Sequence, residues 1–276
     1  MNKDLNTILK TPGNFLYFWL ENYDSILEKK DKEIFAEYYK NWIPNFNFAL
    51  REHYTKQMKE LLSILSQGKF EILEVGCGCG TESIFMSMLG HNVHGIEINS
   101  ERLNLADSRK NYMKSVFPDL PINLSFSNSS FFEERFEKKF DIVWLEQAFH
   151  HIEPRDEFIN KVSNLVKDDG FLIFSEANAC NPLIQLLLYK KRGFKTIKLF
   201  KDDNGKNHLY GDERIISLNR LFKLFKKKGF LKHSQSYFSV FPSTFLAKNP
   251  SLINFDKFFP SFLNRNYNLI LKKSSS

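Results

Sequence analysis

With 276 residues, 42% of them hydrophobic and 26% charged, the chain is long enough to bury a large core and is compatible with one elaborated α/β unit. It has no apolar run of 18 residues and no apolar region behind a basic start, so neither a membrane-spanning helix nor a secretory signal is expected, and the cytoplasm is the expected location. The net charge of +7 hides an asymmetry: residues 1–180 hold 20 Lys+Arg against 27 Asp+Glu, a balance of −7, and residues 181–276 hold 19 against 5, a balance of +14. A basic part of that kind attracts an anionic acceptor, a nucleic acid or an anionic membrane surface, unless it is only a solvated face. Three cysteines exclude a disulfide framework, and no Cys/His set completes a metal site.

In chain order, residues 14–20, 32–39 and 51–65 carry apolar side chains at spacings of three and four, which predicts helices interrupted around Pro44. Residues 1–67 therefore read as a helical cap and residues 68–276 as the main domain. Next comes Glu71-Ile-Leu-Glu-Val-Gly-Cys-Gly-Cys-Gly-Thr-Glu-Ser83, an apolar run ending in three glycines at every second position. It predicts a buried strand, a turn that lets backbone approach a ligand, and a helix. A dinucleotide fingerprint would need a third Gly where Thr81 stands, and no Gly-Lys-Ser/Thr follows to make a P-loop. Glu74 would face a diphosphate badly and a cation well.

Further strands are expected over residues 92–98 and 122–126, with a fourth within 140–152 and a turn and fifth strand within 168–176. A short helix over 182–189 leads into a basic loop over 190–206. Residues 217–228 form an amphipathic helix that stops at Gly229, and strands are expected over 231–241 and 267–272, with an apolar helix-and-turn excursion at 250–263.

The Glu-Val-Gly-Cys-Gly-Cys-Gly loop, the acid ending the second strand, and the segments Phe140–Ile152 and Asp168–Glu176 together resemble, in order, the motifs of class I S-adenosylmethionine-dependent methyltransferases. The resemblance covers about residues 68–273, with 181–214 as an insertion, and implies a Rossmann-like, seven-stranded, mostly parallel sheet with an antiparallel last strand. It implies a cofactor site at Glu74, Gly76, Cys77, Gly78, Gly80, Glu97, Ile98, Asn128, Ser129 and Glu146. Glu97 would accept the ribose hydroxyls. Asn128 stands where the family usually has Asp for the adenine amino group, a role the amide oxygen can fill. Glu146 would border the methionine part. N-terminal helices commonly cover the pocket in this family, which makes Tyr38 and Tyr39 candidate lid residues.

The sulfonium methyl is already electrophilic, so alignment and exclusion of water supply most of the catalysis, and a base is needed only for a protonated, weak nucleophile. His150 and His151 follow the fourth strand at the carboxyl end of the sheet and are the candidate bases, with His150 expected to be the more exposed. His208 and Tyr210 are candidate acceptor contacts. No Asn/Asp-Pro-Pro-Tyr/Phe follows the fourth strand, which argues against amino-methylating DNA enzymes. The expected acceptor is a small molecule or a glycan or lipid-linked intermediate, methylated on O or N. A nucleic-acid or protein methyltransferase docking through the basic part, and a noncatalytic cofactor-binding protein, are the alternatives. Peripheral contact with a membrane is compatible with the charge.

Overall fold

The computed structural model describes residues 5–202 and 205–275. Helices α1 (Leu5–Leu9), α2 (Pro12–Ile26), α3 (Lys29–Tyr38), α4 (Phe48–Gln57) and α5 (Lys59–Leu65) precede strand β1 (Glu71–Val75). The chain then alternates through α6 (Thr81–Met88), β2 (Asn92–Glu97), α7 (Ser100–Val116), β3 (Asn123–Asn128), β4 (Phe140–Glu146), α8 (Arg155–Leu165) and β5 (Val166–Ala177). It ends with α9 (Pro182–Arg192), β6 (Ile197–Lys201), β7 (Asn207–Gly211), α10 (Leu218–Lys226), β8 (Phe230–Phe238), α11 (Ser243–Lys248) and β9 (Asn266–Lys273).

Seven strands form one sheet of order β3-β2-β1-β4-β5-β9-β8, with β9 antiparallel to both of its neighbours and the other pairings parallel. The central strands are buried on both faces, as a parallel sheet covered by helices requires. Alternate residues sort into two cores. Ile72, Ile142, Trp144, Ile173 and Ile270 face Phe15, Trp19, Leu61 and Phe85, whereas Leu73, Val143, Leu145, Leu172 and Phe174 face Phe158, Leu221 and Phe225. The N-terminal helices thus share a core with the sheet and build one of its two flanks.

Local chemistry sets the helix starts. Thr11 accepts from the Asn14 amide at 3.1 Å, with Pro12 in the first turn of α2. Asn99 caps α7 and Asn181 caps α9 in the same way. The expected basic loop over 190–206 is in part regular structure among its described residues: α9 continues to Arg192, and β6 pairs with β7 in a separate two-stranded hairpin, from Ile197 opposite Gly211 to Lys201 opposite Asn207. The excursion at 250–263 consists of 3-10 turns, Pro250–Phe258 and Ser261–Leu263.

Candidate functional site

The carboxyl ends of β1, β2, β3, β4 and β5 meet around the Gly-rich loop. Gly78 and Gly80 adopt φ values of +53° and +71°, in the left-handed region that a Cβ disfavours. A Cβ on Gly78 would run into the Tyr38 hydroxyl, and one on Gly80 would lie 2.8 Å from the Ala106 Cβ. The loop is held from two sides. Glu97 at the end of β2 accepts from the Gly78 and Asn99 amides, both at 3.0 Å, one on each carboxylate oxygen. The fully buried Arg109 of α7 donates to the Cys79 carbonyl at 2.6 Å and the Thr81 hydroxyl at 2.8 Å, with its guanidinium 4.4 Å over the Trp19 ring. Nothing in the local sequence marked Arg109; its role follows from α7 crossing the loop.

Asn128 donates to the Glu97 and Ile98 carbonyls at 3.0 and 3.1 Å, which fixes its amide nitrogen and leaves the side-chain oxygen as an acceptor. The Ser129 hydroxyl is turned to Glu134, and the Cys77 side chain is buried against Gly95, so of these two residues only backbone is offered to the loop's surroundings.

Beneath the loop three carboxyl groups converge. Glu74 accepts from the Ser83 hydroxyl, Glu82 from the Tyr54 hydroxyl, and Glu146 from Gln57 at 2.8 Å. Burial, then the charge of Glu82, pushes Glu74 and Glu146 well above the usual carboxylate range, and burial also raises Glu82. Tyr54 and Gln57, both from α4, and Glu82 had no signal in the sequence beyond polarity on an otherwise apolar stretch. Tyr38, an expected lid residue, lies with its hydroxyl against Gly78. Tyr39 is buried, and its hydroxyl is 2.5 Å from that of Thr81, so it supports the loop's helix and covers no open cleft.

A second group lies in the 3-10 turn after β4. Here the expected order of exposure is reversed: His150 is 4% exposed and His151 is half-buried, because the turn carries His150 inward onto Glu176. His150 Nδ1 is 2.7 Å from one Glu176 oxygen, whose partner accepts from the Phe149 amide at 2.7 Å. Its Nε2 is 3.8 Å from Glu213. Burial alone would lower the His150 pKa, but the charge and hydrogen bond of Glu176, then the charge of Glu213, raise it above the ordinary value of 6.5. His151 Nδ1 lies 2.9 Å from the Gly211 carbonyl, and its ring stacks on Tyr210 at 4.6 Å. Burial and the neighbouring His150 lower its pKa to about 4. Tyr210 thus meets the site as a wall on His151. His208 is tied within the hairpin, its Nε2 2.8 Å from Asp202.

A glycine loop under a β2 acid, set at the carboxyl edge of a parallel sheet, defines a ligand-binding protein of the nucleotide-binding α/β kind. The family model described as a methyltransferase domain matches residues 66–232, and the chain belongs to that family. An uncharacterized methyltransferase of Staphylococcus carnosus is 24% identical over 148 residues, covering 50% of this chain and 66% of that protein. A ubiquinone biosynthesis O-methyltransferase of Paraburkholderia phymatum is 27% identical over 138 residues, covering 50% of this chain and 57% of that protein. The chain therefore spans less than two thirds of the length of these relatives. The crystal structure of a magnesium protoporphyrin IX methyltransferase from Synechocystis with bound SAH shares the fold, with a TM-score of 0.53 at 16% identity over 88% of this chain and 100% of that one.

Proposed function

We propose that this chain is an S-adenosylmethionine-dependent methyltransferase that methylates a hydroxyl oxygen of a small-molecule or glycan acceptor, with His150 as general base. The observation that carries the base assignment is the buried His150–Glu176 pair at the carboxyl end of β4, 2.7 Å apart. The names of the ubiquinone biosynthesis relatives favour oxygen over nitrogen.

The donor set fits the cofactor. Glu97 spends one lone pair of each oxygen on an amide and retains others for two ribose hydroxyls. The free oxygen of Asn128 suits an adenine amino group, beside Ile98. Glu74, Glu82 and Glu146, held together with only neutral hydrogen-bond partners, suit a ligand that carries a sulfonium and an ammonium. Gly76, Gly78 and Gly80 let the backbone come close to it. When bound, the cofactor supplies an electrophilic methyl group on sulfur.

The protein's own part is proton removal and positioning. A carboxylate on Nδ1 holds the proton there and leaves the Nε2 lone pair to accept one from an acceptor hydroxyl. Glu213, 3.8 Å from Nε2, is placed to stabilise the imidazolium that results. Glu176 positions the ring and does not touch the acceptor. Tyr210 and His151 form a stacked wall beside it. Lys198, 5.3 Å from the Tyr210 ring, is paired with Asp212 at 2.8 Å, and Lys191 with Glu213 at 3.2 Å. The acceptor's reacting end therefore needs no negative charge.

The test is single-turnover methyl transfer from a labelled donor to a panel of phenolic, alcoholic and amine acceptors. With a hydroxyl acceptor, His150→Ala is expected to slow turnover by roughly 10²- to 10⁴-fold without a matching loss of cofactor affinity. Rates within about threefold of wild type across pH would reject histidine base catalysis and leave proximity as the mechanism.

A further inference from the structure

The insertion between β5 and α10 has two unlike faces. Its inner face is committed: Tyr210 stacks on His151, Ile152 and Tyr210 form a β-bridge, and the Arg214 amide donates to the His150 carbonyl at 3.2 Å. Its outer face is apolar and uncovered. α9 is a formed helix, capped by Asn181 with Pro182 in the first turn, yet Ile184 is its one buried side chain. Leu183, Leu186 and Leu187, spaced as neighbours on one helical face, stand in solvent. Phe194 follows at 87% exposure. Leu199 and Leu209, directly opposite each other in the hairpin and on the side away from Tyr210, complete the surface; the five leucines are between 46% and 67% exposed. The Asn181 side chain donates to the Leu263 carbonyl at 2.6 Å, so the exposed Phe262 adjoins the start of α9.

The same segment is strongly basic. Residues 182–201 contain Lys190, Lys191, Arg192, Lys195, Lys198 and Lys201 and no acidic residue. Large apolar side chains exposed together on one insertion mark an interaction site. Its charge indicates the partner: the cores of protein–protein interfaces are depleted in lysine, whereas segments that lie in a bilayer interface combine leucine and aromatic residues with Lys and Arg. Among the described residues no helix is long and apolar enough to cross a membrane, so the contact is peripheral.

We propose that α9 and the β6–β7 hairpin form a docking surface for an anionic lipid bilayer. Leu183, Leu186, Leu187 and Phe194 enter the boundary between headgroups and acyl chains, and Lys190, Lys195 and Lys201, with their stems along the apolar surface, meet lipid phosphates. The inference rests on the exposed face and its charge and is independent of the reaction assigned to the site. Its consequence for that site is geometric: the hairpin that touches the bilayer with its outer face packs on His151 with its inner face, so docking and the site share one element.

The test is cosedimentation of the full chain with vesicles of phosphatidylcholine alone or mixed equally with phosphatidylglycerol. Binding is expected to the mixed vesicles only, and to weaken as salt is raised. The double variant Leu186→Glu, Leu187→Glu should bind at least about tenfold more weakly with an unchanged Tm, since both side chains are exposed. The set Lys190→Gln, Lys195→Gln, Lys201→Gln should weaken binding roughly fivefold per charge removed, and it carries the test should the glutamate variant unfold. No binding to the mixed vesicles, or binding that both variants retain, overturns the proposal. So does a wild-type chain that ignores vesicles but self-associates through the leucines, since the face would then belong to a second copy.

Discussion

Replacing Glu176 by Gln keeps an acceptor for the Phe149 amide and for His150 Nδ1 but removes the charge that raises the His150 pKa. The size of the effect follows from the geometry. A hydrogen bond to a charged group contributes about 1.5–3 kcal/mol against about 0.5–1.5 for a neutral one, and about 1.4 kcal/mol corresponds to one pH unit, so the bond alone accounts for roughly one unit. The adjacent unit charge contributes up to about 4 kcal/mol for charge centres about 4 Å apart in a partly screened site, which sets an upper limit near three units. Burial and Arg155 both act to lower the pKa. In the variant they prevail, and His150 is expected to titrate below 6.5 instead of above it. Glu213→Gln should have a smaller effect, because that carboxylate is 3.8 Å from Nε2 and more exposed. The assay is NMR titration of the His150 ring, which needs no acceptor. The sign carries over to stability: a histidine whose pKa is raised on folding stabilises the protein below the unfolded pKa and loses this as pH rises through the folded one. Glu176→Gln should therefore cost more stability at about pH 5.5 than at about pH 8.5. A His150 pKa unchanged in Glu176→Gln, or higher, would refute the pairing.

Other perturbations test the loop and the acidic cluster. Gly78→Ala places a Cβ at φ +53° and 3.0 Å from the Tyr38 ring carbon bearing the hydroxyl; urea unfolding should show a loss of about 1–2 kcal/mol, and calorimetry a cofactor affinity at least tenfold weaker. Arg109→Met removes two charge-assisted bonds to the Cys79 carbonyl and Thr81, and is expected to lower stability by about 2–4 kcal/mol; an unchanged urea midpoint would show that the guanidinium does not hold the loop. Because Glu74, Glu82 and Glu146 are raised, binding a cationic cofactor should release protons near neutral pH and tighten as pH rises; equal binding enthalpies in buffers of different ionisation enthalpy would contradict this.

What was legible in the sequence was what local chemistry decides. The apolar run of β1 breaking into alternate glycines located the loop, the acid ending β2 located Glu97, and the Lys-Lys-Gly at 227–229 marked the end of α10 close to where the chain leaves the helix. The pairings that define the site were not legible, because they join distant positions. Glu176 reaches His150 only because β4 and β5 are adjacent and in register, with Glu146 opposite Ser175. Gln57 reaches Glu146 only because the N-terminal helices pack on the sheet and share its core. The hairpin was missed for a different reason. Its alternation of Ile197, Lys198 and Leu199 was present, but the density of lysine made it read as a solvated loop, and Leu199 and Leu209 point outward.

What the glycine loop and Glu97 hold decides the function of this chain. Calorimetric titration of S-adenosylmethionine into the wild-type chain, Glu97→Ala and Gly78→Val tests this without knowledge of the acceptor. The expected result is saturable binding at one site in the wild type, at least tenfold weaker in Glu97→Ala and lost in Gly78→Val, with both variants still cooperatively folded. Absence of binding by the wild type, or equal affinity in all three chains, would contradict the assignment.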